Sequence, residues 1–288
     1  MRTRIFAGIV FFLLSHAVFC QQKTNIGLLR GMPSVVFSGM FSNESYEFTF
    51  YDSAQELVKA MKDGFVDASN VPASLAEKVA EHSEGKLLVP AVTSNTDVAL
   101  VTTDENVHFF SDLLGKKVYV VKDSFEERFF RSLLSLSAIP VKTGESSIEI
   151  ESMNSFSALV SGLVSGKITC AVLSEPYVSS ALVSSPLAFS AVDFQDEYVK
   201  IYGNGKTIPK TVLLVLRQYR DGRRKDYSKF LEDVKNSVYF VNAHPGQSAG
   251  ACKKKKVMLP VNSAARSIKN SHFVYQETDE NFRLMMYN

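Results

Sequence analysis

The stretch ALVSGLVSGKITCAVLSEPYV, residues 158–178, repeats the pattern of an earlier one, ELVKAMKDGFVDASNVPASLA, residues 56–76. A constant offset of 102 residues places Leu57 on Leu159, Val58 on Val160, Met61 on Leu163, Gly64 on Gly166 and Val66 on Ile168. Each copy predicts an amphipathic helix, a glycine that ends it and a buried strand. The repeat therefore predicts two α/β units built in the same way.

The bulk composition is that of an ordinary globular protein with room for two domains. Its 288 residues exceed the roughly 100–150 of a typical domain. The 32 basic and 30 acidic residues leave a formal charge of only +2, and 45% of the residues are apolar. This balance argues against a nucleic-acid partner.

Residues 1–20 have the three parts of an export signal: the basic start MRTR, the apolar run IFAGIVFFLL and the small residues of SHAVFC. The apolar run is shorter than the about 20 residues that a membrane span needs. Cleavage after Ala17, cleavage after Cys20 and lipidation of Cys20 all remain open. We therefore expect an exported protein, either periplasmic or anchored to the outer face of the cell membrane.

Strand and helix patterns alternate along the mature chain. TNIGLL (24–29), YEFTFY (46–51) and VDASNV (66–71) read as strands separated by helices, and KVYVV (117–121) begins the second unit. Serine and glutamate at capping-box spacing open three helices, at Ser53 and Glu56, Ser74 and Glu77, and Ser124 and Glu127. This order predicts sheets flanked by helices, and the long segment beyond the second unit is expected to return and complete the first.

Five segments taken in order carry a family resemblance: IGLLRGMPS (26–34), residues 53–79, LLGKKVYVV (113–121), LSEPYVSSAL (173–182) and FLEDVKNSVYFVNAHPGQSA (230–249). Together they resemble the solute-binding proteins of bacterial ABC importers, in the branch that includes nitrate, sulfonate, taurine and thiamine-pyrimidine binders. The resemblance covers nearly the whole mature chain.

The resemblance implies the type II periplasmic-binding-protein fold, with two α/β lobes that are each a mostly parallel sheet flanked by helices. Residues 21–103 and 205–288 would form lobe 1 and residues 104–204 lobe 2, with crossings near 103–111 and 193–205. It also implies a protein that binds a small polar or anionic molecule and delivers it to an ABC permease and its ATPase. We expect a monomer without a cofactor, and no spacing of cysteine and histidine suggests a metal site. The ligand stays open between a small anion, an aminopyrimidine and a larger aromatic vitamin precursor.

Ligands of open α/β sheets bind beyond the carboxyl ends of strands, where loops lead into helix N-termini. This rule gives the candidate ligand-binding residues from the strand assignments, and the resembled family uses the matching loops. The candidates are Arg30, Gly31, Met32, Pro33, Ser34, Pro72, Ala73, Ser74, Asp123, Ser124, Phe125, Ser174, Glu175 and Tyr177.

Several candidates also have an ordinary structural interpretation. Arg30 is suited to hold an oxyanion with two parallel hydrogen bonds, but it is equally a surface arginine at a strand end. The serines cap helices whether or not they contact a ligand, and Met32 and Phe125 suit a core as well as an apolar ligand wall. Glu175 pairs either with a basic ligand group or with a cation across the cleft. Tyr177 is placed to stack on a ring.

Two other classes of function remain as alternatives. Enzymes of the thiamine-pyrimidine and menaquinone-precursor pathways resemble this fold, but the chain has an export signal and no cysteine cluster, so we expect no enzyme. A surface lipoprotein that has lost transport is the other. Cys170 and Cys252 do not suggest a disulfide framework, and the run Lys253–Lys256 is interpreted as a solvated helix end and not as a nucleic-acid site.

Overall fold

The structure is a computed structural model that describes residues 22–81, 83–142, 146–257 and 259–278. The predicted export signal, with Ala17 and Cys20, lies outside the described residues. In the described part, the strands in chain order are β1 (Thr24–Leu29), β2 (Tyr46–Tyr51), β3 (Ala68–Pro72), β4 (Leu87–Leu88), β5 (Ala91–Asn95), β6 (Ala99–Thr102), β7 (Lys117–Val121), β8 (Glu149–Met153), β9 (Cys170–Leu173), β10 (Phe189–Asp193), β11 (Pro209–Leu216) and β12 (Phe273–Glu277).

The α-helices of the described part are α1 (Ala54–Lys62), α2 (Ala73–Glu81), α3 (Phe125–Leu136), α4 (Phe156–Val164), α5 (Tyr177–Ser184), α6 (Phe194–Tyr202), α7 (Arg217–Gly222), α8 (Arg224–Ala243), α9 (Pro245–Lys254) and α10 (Ala264–Asn270). Two 3₁₀-helices cover Met32–Met40 and Phe110–Leu113. Pro33 lies in the first turn of the former, a position where its missing N–H costs nothing.

The strands form two sheets of the same design. In the first, the order is β12-β5-β11-β3-β1-β2, with β4 also on β11; in the second it is β10-β6-β9-β7-β8. Each sheet has three parallel strands, β3-β1-β2 or β9-β7-β8, beside an antiparallel strand, β11 or β6. We call the parts built on the first and second sheets lobe 1 and lobe 2.

The repeated sequence segments occupy equivalent positions in the two lobes. Leu57 of α1 and Leu159 of α4 are both fully buried, since each helix turns the same face to its sheet. Gly64 and Gly166 follow these helices with φ angles of 78° and 70°, in the left-handed region that favours glycine. The structure thus confirms the predicted helix, glycine and strand in both copies.

Serine side chains begin these two helices at the same offset of 102 residues. Ser53 accepts a hydrogen bond from the N–H of Glu56, and Ser155 accepts one from the N–H of Ala158, both at 3.2 Å. Such N-caps typically contribute about 1 kcal/mol. The cap that we predicted at Ser53 is therefore confirmed, and its counterpart Ser155 was missed because no glutamate follows it at capping-box spacing.

The α/β fold with two lobes is confirmed, and most strands of each sheet point the same way, although both sheets also contain antiparallel neighbours. The chain leaves the first sheet after β5 and returns as β11, which runs antiparallel to both β3 and β5. β6 likewise enters the second sheet antiparallel to β9. The strand that follows each crossing, β6 or β11, therefore runs against the parallel core of its lobe.

The first crossing lies earlier than expected. β5 ends at Asn95 in the first sheet and β6 begins at Ala99 in the second, so residues 96–98 cross between the lobes and not residues 103–111. The return occupies residues 203–208, between α6 and β11, and overlaps the expected second crossing. The N–H of Thr96 donates to the carbonyl of Ile208 at 2.8 Å, so the two crossings lie side by side.

The segment after the second crossing completes lobe 1. β12 pairs with β5, and Phe230, Val234 and Val238 of α8 join the core of lobe 1. Lys253 and Lys254 lie in the last turn of α9, as expected for a helix end.

Gly27 gives a test of the packing between β1 and α1. A Cβ at Gly27 would lie 2.4 Å from Cδ1 of Leu57, so Gly27→Ala is expected to lower the free energy of unfolding by about 1–3 kcal/mol. The control is Gly250→Ala in α9, where a Cβ meets nothing within 4 Å and a gain of about 0.5–1 kcal/mol is expected. Urea denaturation measures both, and equal stability of the two variants would contradict this account of β1.

Candidate functional site

A cavity of about 220 Å³ lies between the two lobes. It is lined by Met32, Pro33, Pro72, Ser94, Asp97, Glu175, Pro176, Lys210, Thr211, Ser271 and Phe273. The lobe 1 residues come from the segment after β1, the ends of β3 and β5, and the starts of β11 and β12, which meet at one edge of the mixed sheet. This is the carboxyl edge of the parallel strands, where ligands of α/β sheets bind.

An ion pair between Asp97 and Lys210 forms part of the wall. Asp97 lies on the first crossing with its side chain only 1% exposed, and Lys210 is the second residue of β11. The Nζ of Lys210 donates to both carboxylate oxygens of Asp97, at 2.5 and 2.6 Å. Because a buried carboxylate is costly unless it is paired, this contact compensates Asp97 and ties the two crossings together.

Glu175 connects lobe 2 to this pair. Its N–H donates to Oδ1 of Asp97 at 3.3 Å, and its carbonyl accepts a bond from Nζ of Lys210 at 3.3 Å. Its carboxylate accepts bonds from the N–H and hydroxyl of Ser179 at 3.2 and 2.7 Å, and from Asn270 of lobe 1 at 3.4 Å. The Glu175 side chain is therefore held inside the protein, at the N-terminal turn of α5.

A chain of hydroxyl groups supports the lobe 1 wall. The hydroxyl of Thr93 donates to Oδ1 of Asn70 at 2.7 Å, and the side-chain amide of Asn70 donates to the carbonyl of Pro33 at 2.8 Å. The hydroxyl of Thr211 lies 2.8 Å from that of Thr93 and 2.6 Å from that of Ser94. These buried bonds join β3, β5 and β11 directly behind the cavity.

Four residues from the sequence analysis line the cavity: Met32, Pro33, Pro72 and Glu175. Met32 and Pro33 follow β1, Pro72 is the last residue of β3, and Glu175 follows β9. The Glu175 carboxylate is bound by serine and asparagine groups and not by a lysine or arginine across the cleft, so the second of its two interpretations does not describe these contacts.

The remaining lobe 1 candidates are not part of the cavity wall. Arg30 lies with its Nε 2.9 Å from Oδ1 of Asp52 and its guanidinium 5.1 Å from the ring centre of Phe50. Gly31 provides a turn with φ 110°, and Ser34 is buried and donates to the carbonyl of Leu29.

Ala73 and Ser74 begin α2, but the capping role predicted for Ser74 is corrected by the structure. β3 runs through Pro72 directly into a helix that starts at Ala73, which places Ser74 inside the first turn. Ser74 therefore occupies a helical position and not the flanking position of a cap.

The other lobe 2 candidates lie in structural contacts. Ser124 caps α3, as predicted, by accepting a bond from the N–H of Glu127, but the Glu127 carboxylate accepts from the N–H of Asp123 at 2.8 Å and not from that of Ser124, so the second bond of a capping box is displaced by one residue. Asp123 is exposed with φ 59°. Phe125 stacks on Phe129 with ring centres 5.6 Å apart.

Ser174 and Tyr177 flank Glu175 without joining it in the wall. The hydroxyl of Ser174 donates to Oε1 of Glu126 at 2.6 Å, which links β9 to α3. Tyr177 stacks on Phe156 with ring centres 5.1 Å apart, so its ring packs between α5 and α4.

The strand-end rule missed six polar or aromatic residues of the cavity wall and one proline beside them. Asp97 is on a crossing, and Lys210, Thr211 and Phe273 lie at the beginnings of antiparallel strands. The rule selects the residues after a strand, so it excludes the three residues at strand beginnings, whereas Asp97 comes after β5, a strand end that was not used. Reading residues at both ends of TVLLVLRQY would have included Lys210 and Thr211.

A larger hollow of about 840 Å³ lies on lobe 1 alone, between Lys62, Gly85 and Arg217. It is at the opposite edge of the sheet, beside the end of β11. Nε of Arg217 donates to the carbonyl of Gly85 there at 2.6 Å. Because only one lobe borders this hollow, a movement of the lobes does not enclose it, and we take the cavity between the lobes as the candidate site.

The pKa of Glu175 gives a test of its environment. Burial raises this pKa above the ordinary 4.5, the nearby Asp97 raises it further, and the bonds from Ser179 oppose the shift. The proton is therefore bound more tightly in the folded state. Its contribution to stability is complete below the unfolded pKa and is lost as the pH rises through the folded one.

We expect the free energy of unfolding of the natural protein, relative to Glu175→Gln, to be highest near pH 4 and to fall toward pH 8. Urea denaturation at several pH values measures this difference. Glu105→Gln, which removes an exposed carboxylate, controls for the change in net charge. A constant difference between the natural protein and Glu175→Gln would show that Glu175 does not titrate as its burial requires.

No group of three or more His, Cys, Asp or Glu side chains in residues 22–81, 83–142, 146–257 and 259–278 is placed to hold a metal ion. Within the same ranges no helix has the length and hydropathy of a membrane span. Cys170 and Cys252 are both buried and free, and burial raises the pKa of the Cys252 thiol to about 12.

Comparison with known proteins gives matches in structure only. No family model matches the chain, and no curated protein matches it in sequence. An ABC transporter protein from Parabacteroides distasonis superposes with a TM-score of 0.67 at 14% identity, over 89% of this chain and 86% of that one. The periplasmic aliphatic sulphonate binding protein SsuA from Escherichia coli gives 0.63 at 14% identity, over 90% and 87%.

The periplasmic nitrate-binding protein NrtA from Synechocystis PCC 6803 gives a TM-score of 0.56 at 12% identity, over 90% of this chain and 74% of that one. These TM-scores establish a common fold, whereas identities this low leave the ligand open. With its two matching sheets and double crossing, the chain has the two-lobed α/β fold of the periplasmic solute-binding proteins of ABC importers.

Proposed function

We propose that this protein is the exported solute-binding subunit of an ABC importer and that it captures a small molecule between its lobes. The observation that carries the proposal is the cavity at the carboxyl edge of the lobe 1 sheet, which is closed on its other side by Glu175 and Pro176 of lobe 2. Such a site gains or loses one wall when the lobes move. The names of the structural neighbours, which bind sulphonate and nitrate, support a small polar ligand.

The double crossing supports a hinge. Residues 96–98 and 203–208 are the connections between the sheets, and rotation about two adjacent strands of chain is the usual form of domain closure. Under this proposal, a membrane permease distinguishes the open from the closed arrangement. An ATPase on another chain would supply the energy of transport.

The same proposal places the mature protein outside the cytoplasmic membrane, either free in the periplasm or attached through a lipid on Cys20. It assigns capture and release to the cleft and no catalytic step.

Native mass spectrometry of the mature protein, purified without refolding, tests the proposal. We expect an additional mass, from a co-purified small molecule, that disappears on denaturation. Met32→Trp replaces a flexible thioether at the cavity wall by a bulkier indole ring, so we expect the cavity to be filled and the additional mass to be lost. Phe65→Trp, at a side chain that is 70% exposed, is the control and is expected to retain it.

A bare mass that no anion or vitamin precursor shifts would overturn the proposal in favour of a surface protein without a transport ligand. One observation favours that second candidate: the cavity is smaller than the about 300–1,000 Å³ of ordinary ligand pockets.

The contacts between α10 and α5 allow a test of closure. Asn270 of lobe 1 donates to Glu175 of lobe 2, and the hydroxyls of Ser263 and Ser180 lie 3.2 Å apart. Asn270→Asp replaces a donor with a carboxyl group beside Glu175, so we expect a larger radius of gyration in small-angle scattering. Asn204→Asp, at an exposed residue, is the control, and equal radii for the two variants would contradict a role for Asn270 in closure.

A further inference from the structure

We propose that the cleft selects an uncharged or amine-bearing small molecule and rejects oxyanions. This inference rests on the proposed function, since it takes the cavity between the lobes as the ligand site. It narrows the ligand classes that the sequence leaves open, and it departs from what the names of the structural neighbours indicate.

The charges on the cavity wall are the first reason. In the part of the chain that the structure describes, the charged side chains lining the cavity are Asp97, Glu175 and Lys210, two acids and one base. All three protons of the Lys210 ammonium group have an acceptor: both oxygens of Asp97 and the carbonyl of Glu175. An oxyanion in the cavity would meet a cation that is already neutralised and a second carboxylate beside it.

The N-terminus of α5 is the second reason. Free N–H groups at a helix start are the usual site for an oxyanion in this kind of fold. Here the carboxylate of Glu175 already accepts bonds from the N–H and the hydroxyl of Ser179. The N–H groups of Tyr177 and Val178 donate to the carbonyl of Ser174 at 2.8 and 3.2 Å. The protein therefore fills its own anion site in lobe 2 with an internal carboxylate.

The position of Arg30 is the third reason. The sequence analysis considered Arg30 as a cation that could bind an oxyanion. In the structure its Nε donates to Oδ1 of Asp52, and its Nη1 donates to the carbonyl of Lys256 at 3.2 Å. The guanidinium also covers the ring of Phe50. Arg30 thus makes its ion pair, its backbone hydrogen bond and its ring contact away from the cavity wall.

The groups on the cavity wall suit a small ligand that has an apolar part and a hydrogen-bond donor. Met32, Pro33, Pro72, Pro176 and Phe273 form its apolar part. When ionised, the carboxylates of Asp97 and Glu175 accept hydrogen bonds and donate none, so any bond that they make beyond those to groups of the protein itself requires a ligand N–H or O–H group. A protonated amine would also balance the excess acid of the wall.

Binding of three probes of similar shape tests the inference by titration calorimetry: benzenesulfonate, benzyl alcohol and benzylamine. The decisive comparison is benzenesulfonate on the natural protein and on Asp97→Asn, which leaves the charge of Lys210 uncompensated. We expect Asp97→Asn to bind benzenesulfonate at least tenfold more tightly than the natural protein does. Asp63→Asn, which breaks the exposed pair with Lys59 and makes the same change in net charge, is expected to show no gain.

Equal or tighter binding of benzenesulfonate by the natural protein, compared with Asp97→Asn, would overturn the inference. So would a natural protein that prefers benzenesulfonate to both other probes. Circular dichroism tests whether Asp97→Asn is folded. The double variant Asp97→Asn with Lys210→Met lacks the cation as well, so we expect it to lose the tighter binding of benzenesulfonate. The two proposals fail separately: a co-purified sulfonate or nitrate would overturn only this inference, whereas a cleft that binds no small molecule would overturn the proposed function.

Discussion

The buried carboxylate of Asp97 is the constraint around which the two lobes are arranged. It lies on the first crossing and is 1% exposed, so its charge requires a partner from inside the protein. Lys210 supplies that partner from the strand that begins just after the second crossing. The pair therefore brings together two segments that are 113 residues apart in the chain, and it fixes both where the sheets meet and what charge faces the cavity.

Internal duplication made most of the fold predictable. Leu57 and Leu159 predict the same buried helix face, and Gly64 and Gly166 the same left-handed stop, because these features depend on residues close in sequence. The direction of β6 and β11 was not predictable in that way. Both strands are apolar runs, TVLLVL and ALVT, and an apolar run fits a parallel or an antiparallel neighbour equally well.

The candidate site was predictable only in part, for a related reason. Met32, Pro33, Pro72 and Glu175 follow strands of the parallel core, so a rule about strand ends finds them. Asp97 and Lys210 have no local pattern that marks them, since each is an isolated charge beside an apolar strand. For Arg30 the sequence left two interpretations, and its contacts with Asp52 and Phe50 are those of a surface arginine at the end of β1.

The strand order also has a consequence for how the protein is made. All five strands of the second sheet lie within residues 99–193, whereas the first sheet needs β11 and β12 from residues 209–277. As the chain is synthesised from its amino terminus, lobe 2 has all its strands while β3 and β5 still have unpaired edges. Unpaired strand edges can pair with other chains. Because β11 lies between β3 and β5, the edges of both strands become paired only when β11 has been synthesised.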